Sequence, residues 1–194
     1  MKRVCVFCGA STGHDPAYAQ AAAALGRAIA ARGLGLVYGG GSVGLMGVVA
    51  QAAQESGAEV IGVIPRLLIA REVHERRIRD LRVVETMHER KALMASLSDG
   101  FLALPGGFGT LDEAFETLTW SQLGIHRKGL VFVDVLGYWQ GLDRLLDRML
   151  AEGFLKPDTR RLAMLADGPE AALDLLAAFV PPADAPVWAT AADI

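Results

Sequence analysis

Apolar runs that do not alternate with polar residues recur along this chain, and most of them lead into a stretch with helical spacing. A strand with one face in water alternates apolar and polar side chains, so unalternating runs belong to strands covered on both faces. Such strands, interleaved with helices, build a parallel sheet with helices on either side. The pattern predicts strands at 4–7, 34–38, 59–64, 81–84, 101–104 and 130–133. Helices are expected at 15–32, 48–56, 87–97, 111–123, 138–151 and 169–179, and an irregular, charged loop at 67–80. The fold class is therefore α/β: a single Rossmann-like, doubly wound domain over 1–180. The segment 181–194, rich in proline and small residues, is expected to be a loosely held tail.

In doubly wound folds, ligands sit beyond the carboxyl ends of the strands. Two glycine-rich runs fall there. The second, Leu104-Pro105-Gly106-Gly107-Phe108-Gly109-Thr110-Leu111-Asp112-Glu113, breaks a short buried strand and opens a helix. Backbone amides freed by glycine, together with the positive end of a helix dipole, favour an anion. Thr110 and Glu113 add a hydroxyl and a carboxylate, so the stretch reads as a phosphate cradle with an acid beside it. The same Thr110-x-x-Glu113 spacing also spells a capping box, in which both side chains only satisfy amides of the first helical turn.

The first run contains Gly39-x-Gly41-x-x-Gly44, which matches the dinucleotide fingerprint in a strand-to-helix setting. The acid that should end the next strand is missing, because that strand closes on Ile64-Pro65-Arg66. An arginine there leaves a phosphorylated dinucleotide as a minor alternative. Two glycine loops closing on one mononucleotide fit better.

The helix at 87–97 begins Met87-His88-Glu89-Arg90-Lys91. Met87, Arg90, Met94 and Leu97 share one helical stripe, which puts Arg90 among apolar neighbours. Two cations in a first turn also oppose the helix dipole. One account is a pair of solvated charges offset by a Thr86-x-x-Glu89 capping box; the stripe and the dipole conflict favour instead an Arg90 that faces a ligand, where a guanidinium would make paired hydrogen bonds to an anion or a purine edge. Arg71-Glu72 supplies a further acid within the charged loop.

Other chemistries find little support. The histidines His14, His74, His88 and His126 lack metal-ligand spacing, so no metal is expected. Cys5 and Cys8 form a C-x-x-C along a strand, where positions three apart point to opposite faces, and they read as core thiols. With a net charge of −3, the surface offers no general attraction for nucleic acid. No apolar segment reaches the roughly 18 residues of a membrane span, and the apolar run after Lys2-Arg3 is too short for a signal peptide. A soluble, cytoplasmic protein is expected.

The accumulated motifs resemble those of the Lonely Guy family, the cytokinin riboside 5′-monophosphate phosphoribohydrolases. The family pattern P-G-G-x-G-T-x-x-E is complete in Pro105, Gly106, Gly107, Gly109, Thr110 and Glu113. Further matches are Phe7-Cys8-Gly9, Gly39-Gly40-Gly41 with Gly44-Leu45-Met46-Gly47, Val63-Ile64-Pro65, Arg71-Glu72, Met87-His88-x-Arg90-Lys91 and Thr119-Trp120-x-Gln122-Leu123-Gly124. Ala10 departs from the serine common after Cys-Gly, which bears on the pocket edge and on no catalytic position.

The resemblance implies hydrolysis of the N-glycosidic bond of N6-modified adenosine monophosphates, and often of AMP, giving free base and ribose 5-phosphate. It makes Arg90 and Glu113 the catalytic pair. Glu72, Lys91, Gly40, Gly41, Gly107, Phe108, Gly109, Thr110 and Thr119 become nucleotide contacts. A homodimer is implied and no cofactor is expected. Members of the family have often been labelled lysine decarboxylases; no lysine here sits where a pyridoxal phosphate Schiff base is indicated. The competing classes are a non-catalytic nucleotide carrier of the same fold and a single-stranded DNA binder. A carrier needs no acid at the sugar, and a DNA binder needs a basic surface.

Overall fold

The computed structural model describes residues 1–72 and 78–182, with the backbone alone at Arg71 and Glu72. Its centre is a seven-stranded sheet in the order β4-β3-β2-β1-β5-β6-β7, and every pairing is parallel. The strands are β1 Arg3–Phe7, β2 Gly35–Tyr38, β3 Val60–Pro65, β4 Asp80–Val84, β5 Gly100–Ala103, β6 Leu130–Asp134 and β7 Ala163–Asp167. Between them run α1 Pro16–Ala31, α2 Gly44–Glu55, α3 Ile69–Glu72, α4 Met87–Leu97, α5 Phe108–Gln122, α6 Gln140–Ala151, α7 Pro157–Arg160 and α8 Pro169–Ala177. The chain winds outward from β1 in one direction as far as β4, then restarts at β5 on β1's other side. The switch point thus lies between β1 and β5, and their carboxyl ends splay to leave a crevice.

Period-two alternation along β1 shows how both faces are covered. Val4, Val6 and Cys8 join a core built from α1, α2 and α8, while Cys5 and Phe7 join a second core with α4, α5 and α6. Each large side chain buried in these layers contributes roughly 1.5–3 kcal/mol, which is why strands with no polar alternation are required. The two thiols consequently face opposite layers, are both free, and are pushed well above the usual thiol range by burial.

Local signals explain most element boundaries. Asp15 caps α1, its carboxylate accepting from the Ala17 amide at 2.8 Å, and Pro16 follows in the first turn. Thr86 and Glu89 form a reciprocal capping box on α4. Three expectations shift. Helix α2 begins at Gly44, not 48; Gly44 takes φ +57 and its backbone abuts Ala10 and Ser11, where a Cβ would approach within 2.2 Å, so only glycine fits at this start. Helix α5 begins at Phe108, not 111. The stretch 67–80 is not wholly irregular: a turn of 3-10 helix at Arg66–Leu68 runs into α3.

Strand β7 and helix α7 were not expected from the sequence. The run Arg161-Leu162-Ala163-Met164-Leu165-Ala166-Asp167 has no β-branched residue and favours helix by propensity. Pairing decides instead, with Ala163 to Asp167 registered on Leu130 to Asp134 of β6. The expected tail over 181–194 lies outside the described residues from 183 onward.

At the amino end of the sheet, His126 packs on Phe101, ring centroids 5.3 Å apart. Burial, with Lys128 nearby, pushes its pKa down to about 4. A base held neutral in the fold but protonated when unfolded stabilises the fold fully above pH ~6.5, the ordinary imidazole value. That stability is lost as pH falls toward 4. Urea unfolding at pH 7 and pH 4.5 is expected to show His126→Phe gaining about 2 kcal/mol relative to the parent at the lower pH. An equal difference at both pH values would mean that His126 does not titrate this way.

Candidate active site

A cavity of about 480 Å³ opens at the switch point, within the range typical of small-ligand pockets. The loop after β1 contributes Gly9 to Gly13, α1 contributes Tyr18, and α2 contributes Leu45 and Met46. Met87 and Arg90 come from α4, Pro105 to Gly107 from the loop after β5, and Gly109, Thr110, Asp112 and Glu113 from α5. Backbone bonds stitch the two central loops together: the Gly9 amide donates to the Pro105 carbonyl at 3.1 Å, and the Leu45 amide to the Gly9 carbonyl at 3.0 Å.

The start of α5 resolves the ambiguity in Thr110-x-x-Glu113. Gly107 is the N-cap and provides no side-chain cap; Thr110 is the third helical residue, and Glu113 lies a turn further in. A capping box would need the threonine before the helix, so that reading falls. The amides of Phe108, Gly109 and Thr110 precede any intrahelical acceptor, and the first turn carries no acid to compete for them. This helix end opens into the cavity, and free amides at a helix N-terminus favour an anion.

Arg90 and Glu113 are among the few buried charged residues, 5% and 8% exposed. The Arg90 Nη2 donates to the Gly39 carbonyl at 3.1 Å and stands 3.6 Å from the Glu113 Oε1. Its Nη1 lies 3.9 Å from the Met87 sulfur, and its Nε has no protein partner. A buried guanidinium with an unsatisfied N–H is costly unless something else accepts from it. Gly39 explains how Arg90 fits: a Cβ there would fall 1.9 Å from Nη2. The glycine-rich run after β2 therefore admits the arginine and packs backbone on backbone, which is a different use of Gly39 and Gly44 from cradling a pyrophosphate.

The remaining candidates divide between the cavity and its surroundings. Gly107, Gly109 and Thr110 line the cavity; Gly40 and Gly41 are buried beside it and do not. Lys91 turns from the cavity into ion pairs with Glu116 at 2.9 Å and Asp112 at 3.0 Å. Burial lowers its pKa, but the two carboxylates outweigh burial and hold it above the ordinary lysine value. Arg90–Glu113 and Lys91–Asp112 are thus adjacent cross-links between α4 and α5. Phe108 is 93% exposed in the first turn of α5. The Thr119 hydroxyl donates to the Phe115 carbonyl at 2.8 Å on the helix's exposed side. Glu72 ends α3, and its side chain lies outside the described atoms.

Sequence reasoning missed Ser11, Thr12, Tyr18 and Tyr138, all on the cavity wall. The loop after β1 was identifiable by topology alone, since the first strand of a doubly wound sheet always borders the switch point. Tyr138 had no such signal. Among the described residues no cluster of metal ligands occurs, and no helix is long and apolar enough to cross a membrane.

Fold and site together define a switch-point α/β protein with an uncapped helix end beside a buried arginine–glutamate pair. Residues 46–176 match a family model described as "Possible lysine decarboxylase". The cytokinin riboside 5′-monophosphate phosphoribohydrolase LOG7 of Arabidopsis thaliana is 50% identical over 165 residues, 85% of this chain and 76% of that protein. LOG1 of the same plant, bearing the same description, is 45% identical over 180 residues, 93% of this chain and 84% of its own length. The chain belongs to this family.

Solved structures share the fold at lower identity. The molybdenum cofactor carrier protein of Chlamydomonas reinhardtii aligns with a TM-score of 0.68 at 21% identity, covering 91% of this chain and 96% of that one. The molybdenum cofactor binding protein of Rippkaea orientalis aligns with a TM-score of 0.67 at 22% identity over 91% and 96%. At such identities the likeness establishes the fold alone. The decarboxylase description finds no chemical support in the site, because none of Lys2, Lys91, Lys128 and Lys156 lines the cavity.

Proposed function

We propose that this protein hydrolyses the N-glycosidic bond of nucleoside 5′-monophosphates, taking N6-modified AMP and AMP itself to free base and ribose 5-phosphate. The observation that carries the reading is the buried Arg90–Glu113 pair set beside the uncapped end of α5, in one cavity. The relatives named above as phosphoribohydrolases support it, and a carrier has no need of a buried carboxylate in its pocket.

Each part has a chemical role. Departure of the purine builds positive charge at the anomeric carbon and negative charge on the base. The Glu113 carboxylate stabilises the cation and orients the attacking water, as carboxylates do in glycoside hydrolysis. Arg90 is a poor proton donor and acts as a fixed positive charge that positions the nucleotide. The amides of Phe108, Gly109 and Thr110 hold the 5′-phosphate, so binding energy remote from the bond fixes the sugar against Glu113. Water is the only co-reactant, and no cofactor is required.

We further read the protein as a cytoplasmic homodimer. Met87 and Phe108, exposed apolar residues of α4 and α5 beside the cavity, support a partner surface there; the mass in solution decides it. Chromatography of products from AMP and from N6-isopentenyl-AMP tests the activity. Free base and ribose 5-phosphate are expected from both. Intact nucleotide despite measurable binding would replace the hydrolase with a carrier.

A further inference from the structure

Among the described residues, the one non-glycine in the left-handed region is Leu136, at φ 55, in the turn between β6 and α6. A side chain in that region persists only where the surroundings enforce it, and such positions gather at functional sites. Leu136 is exposed, so its own burial does not offset the strain. Gly137 follows at φ 73, and the turn is closed by the Trp139 amide, which donates to the Asp134 carboxylate at 2.8 Å.

The outcome of this tight turn is that two consecutive aromatic side chains reach back to the loop after β5. The Trp139 indole N–H donates to the Ala103 carbonyl at 3.2 Å, and the Tyr138 hydroxyl to the Gly106 carbonyl at 2.6 Å. The two acceptors bracket Leu104 and Pro105, the connection from the strand to the glycine loop. Gly106 is confined on its other sides as well: a Cβ there would lie 2.1 Å from the Thr110 hydroxyl and 2.8 Å from the Gly9 nitrogen. Tyr138, 43% exposed, lines the cavity and meets Tyr18 edge-on at 5.9 Å. Its hydroxyl therefore bears on the point where the loop after β1, the loop after β5 and the first turn of α5 converge.

We propose that Tyr138 is a positioning residue: by holding the Gly106 carbonyl it sets the anion-receiving end of α5 and thereby the affinity for the substrate's phosphate. The Gly106 carbonyl and the Gly107 N–H belong to one rigid peptide plane, so bonding the first orients the second. The proposal rests on the hydrolase reading for the identity of the anion and on the hydrogen bond for the role.

Tyr138→Phe keeps the ring and its packing on Tyr18 while removing the hydroxyl. Its loss is expected to raise KM for AMP about three- to tenfold, the usual weight of one neutral hydrogen bond. The dissociation constant for AMP by calorimetry and the inhibition constant of ribose 5-phosphate rise in parallel, while kcat changes by at most about twofold, as for a group lost equally in ground and transition states. A merely structural tyrosine would instead lower Tm and the active fraction and leave KM and both binding constants where they were; that result overturns the proposal, as do wild-type constants. Binding of AMP to both proteins separates this question from turnover. Should the parent bind AMP without cleaving it, the hydrolase reading fails, while weaker binding by Tyr138→Phe still upholds the positioning role.

Discussion

Replacing Glu113 by glutamine is expected to lower kcat for AMP hydrolysis by about a thousandfold, the scale on which removal of a preorganised charge partner acts. The substitution changes charge and almost nothing else. Glutamine matches glutamate in volume, and position 113 lies inside α5 with no capping role, so helix and packing are retained. What disappears is the negative charge that the proposed mechanism sets against the anomeric carbon, in a site where burial magnifies electrostatics. AMP should still bind through the α5 amides, giving a KM near that of the parent. Arg90 loses its 3.6 Å counter-charge and keeps the Gly39 carbonyl. A modest fall in stability of about 1–3 kcal/mol should therefore accompany the loss of activity. Thermal unfolding separates the two effects. Turnover within tenfold of the parent would remove Glu113 from the chemistry.

Much of the architecture was legible before any coordinates, for a specific reason. Burial on both faces makes parallel strands read as continuous apolar runs, and six of these runs coincide with strands to within two residues at each end. Helix α4 was placed at its observed bounds, and the Thr86–Glu89 capping box, weighed in the sequence only as an offset to solvated charges, is present at its start. The stripe through Met87, Arg90, Met94 and Leu97 put Arg90 on an apolar face, and Arg90 is buried in the structure. What escaped the sequence were matters settled by distant partners. Helices α2 and α5 start in glycine-rich segments whose composition argues for loop; tertiary contacts with Ala10 and with Gly9 fix them as helix ends. Strand β7 follows its register on β6 against its own propensity. Lys91 and Asp112 lie 21 positions apart, so nothing local announced their ion pair. The same holds for Tyr138 and Gly106, separated by 32 positions.

Gly39→Ala tests the site from the side opposite Glu113, and its expected effect is nearly as large. Position 39 does not use a left-handed backbone, so alanine meets no conformational penalty there, and the consequence is one of space alone. The added Cβ would stand 1.9 Å from the Arg90 Nη2 and 3.0 Å from its Cζ, with the Met46 sulfur next at 3.2 Å. These are ends of flexible side chains, not backbone, so the fold survives and the guanidinium yields. Overpacking of this kind costs about 1–3 kcal/mol, or a fall in Tm of roughly 2–4 °C per kcal/mol for a chain of this size. Arg90 then leaves the Gly39 carbonyl and its place beside Glu113. A displacement of about 1 Å in a positioning group is worth on the order of a hundredfold in rate, and kcat/KM should fall by that much. Gly141→Ala, in α6 where a Cβ meets nothing within 4 Å, serves as the control and should leave activity untouched. Gly39→Ala leaves every cavity-lining residue chemically intact, so a hundredfold loss reports displacement, of Arg90 at 1.9 Å far more than of the Met46 sulfur at 3.2 Å; kcat/KM equal to that of Gly141→Ala would show that the arginine's position is immaterial to the reaction.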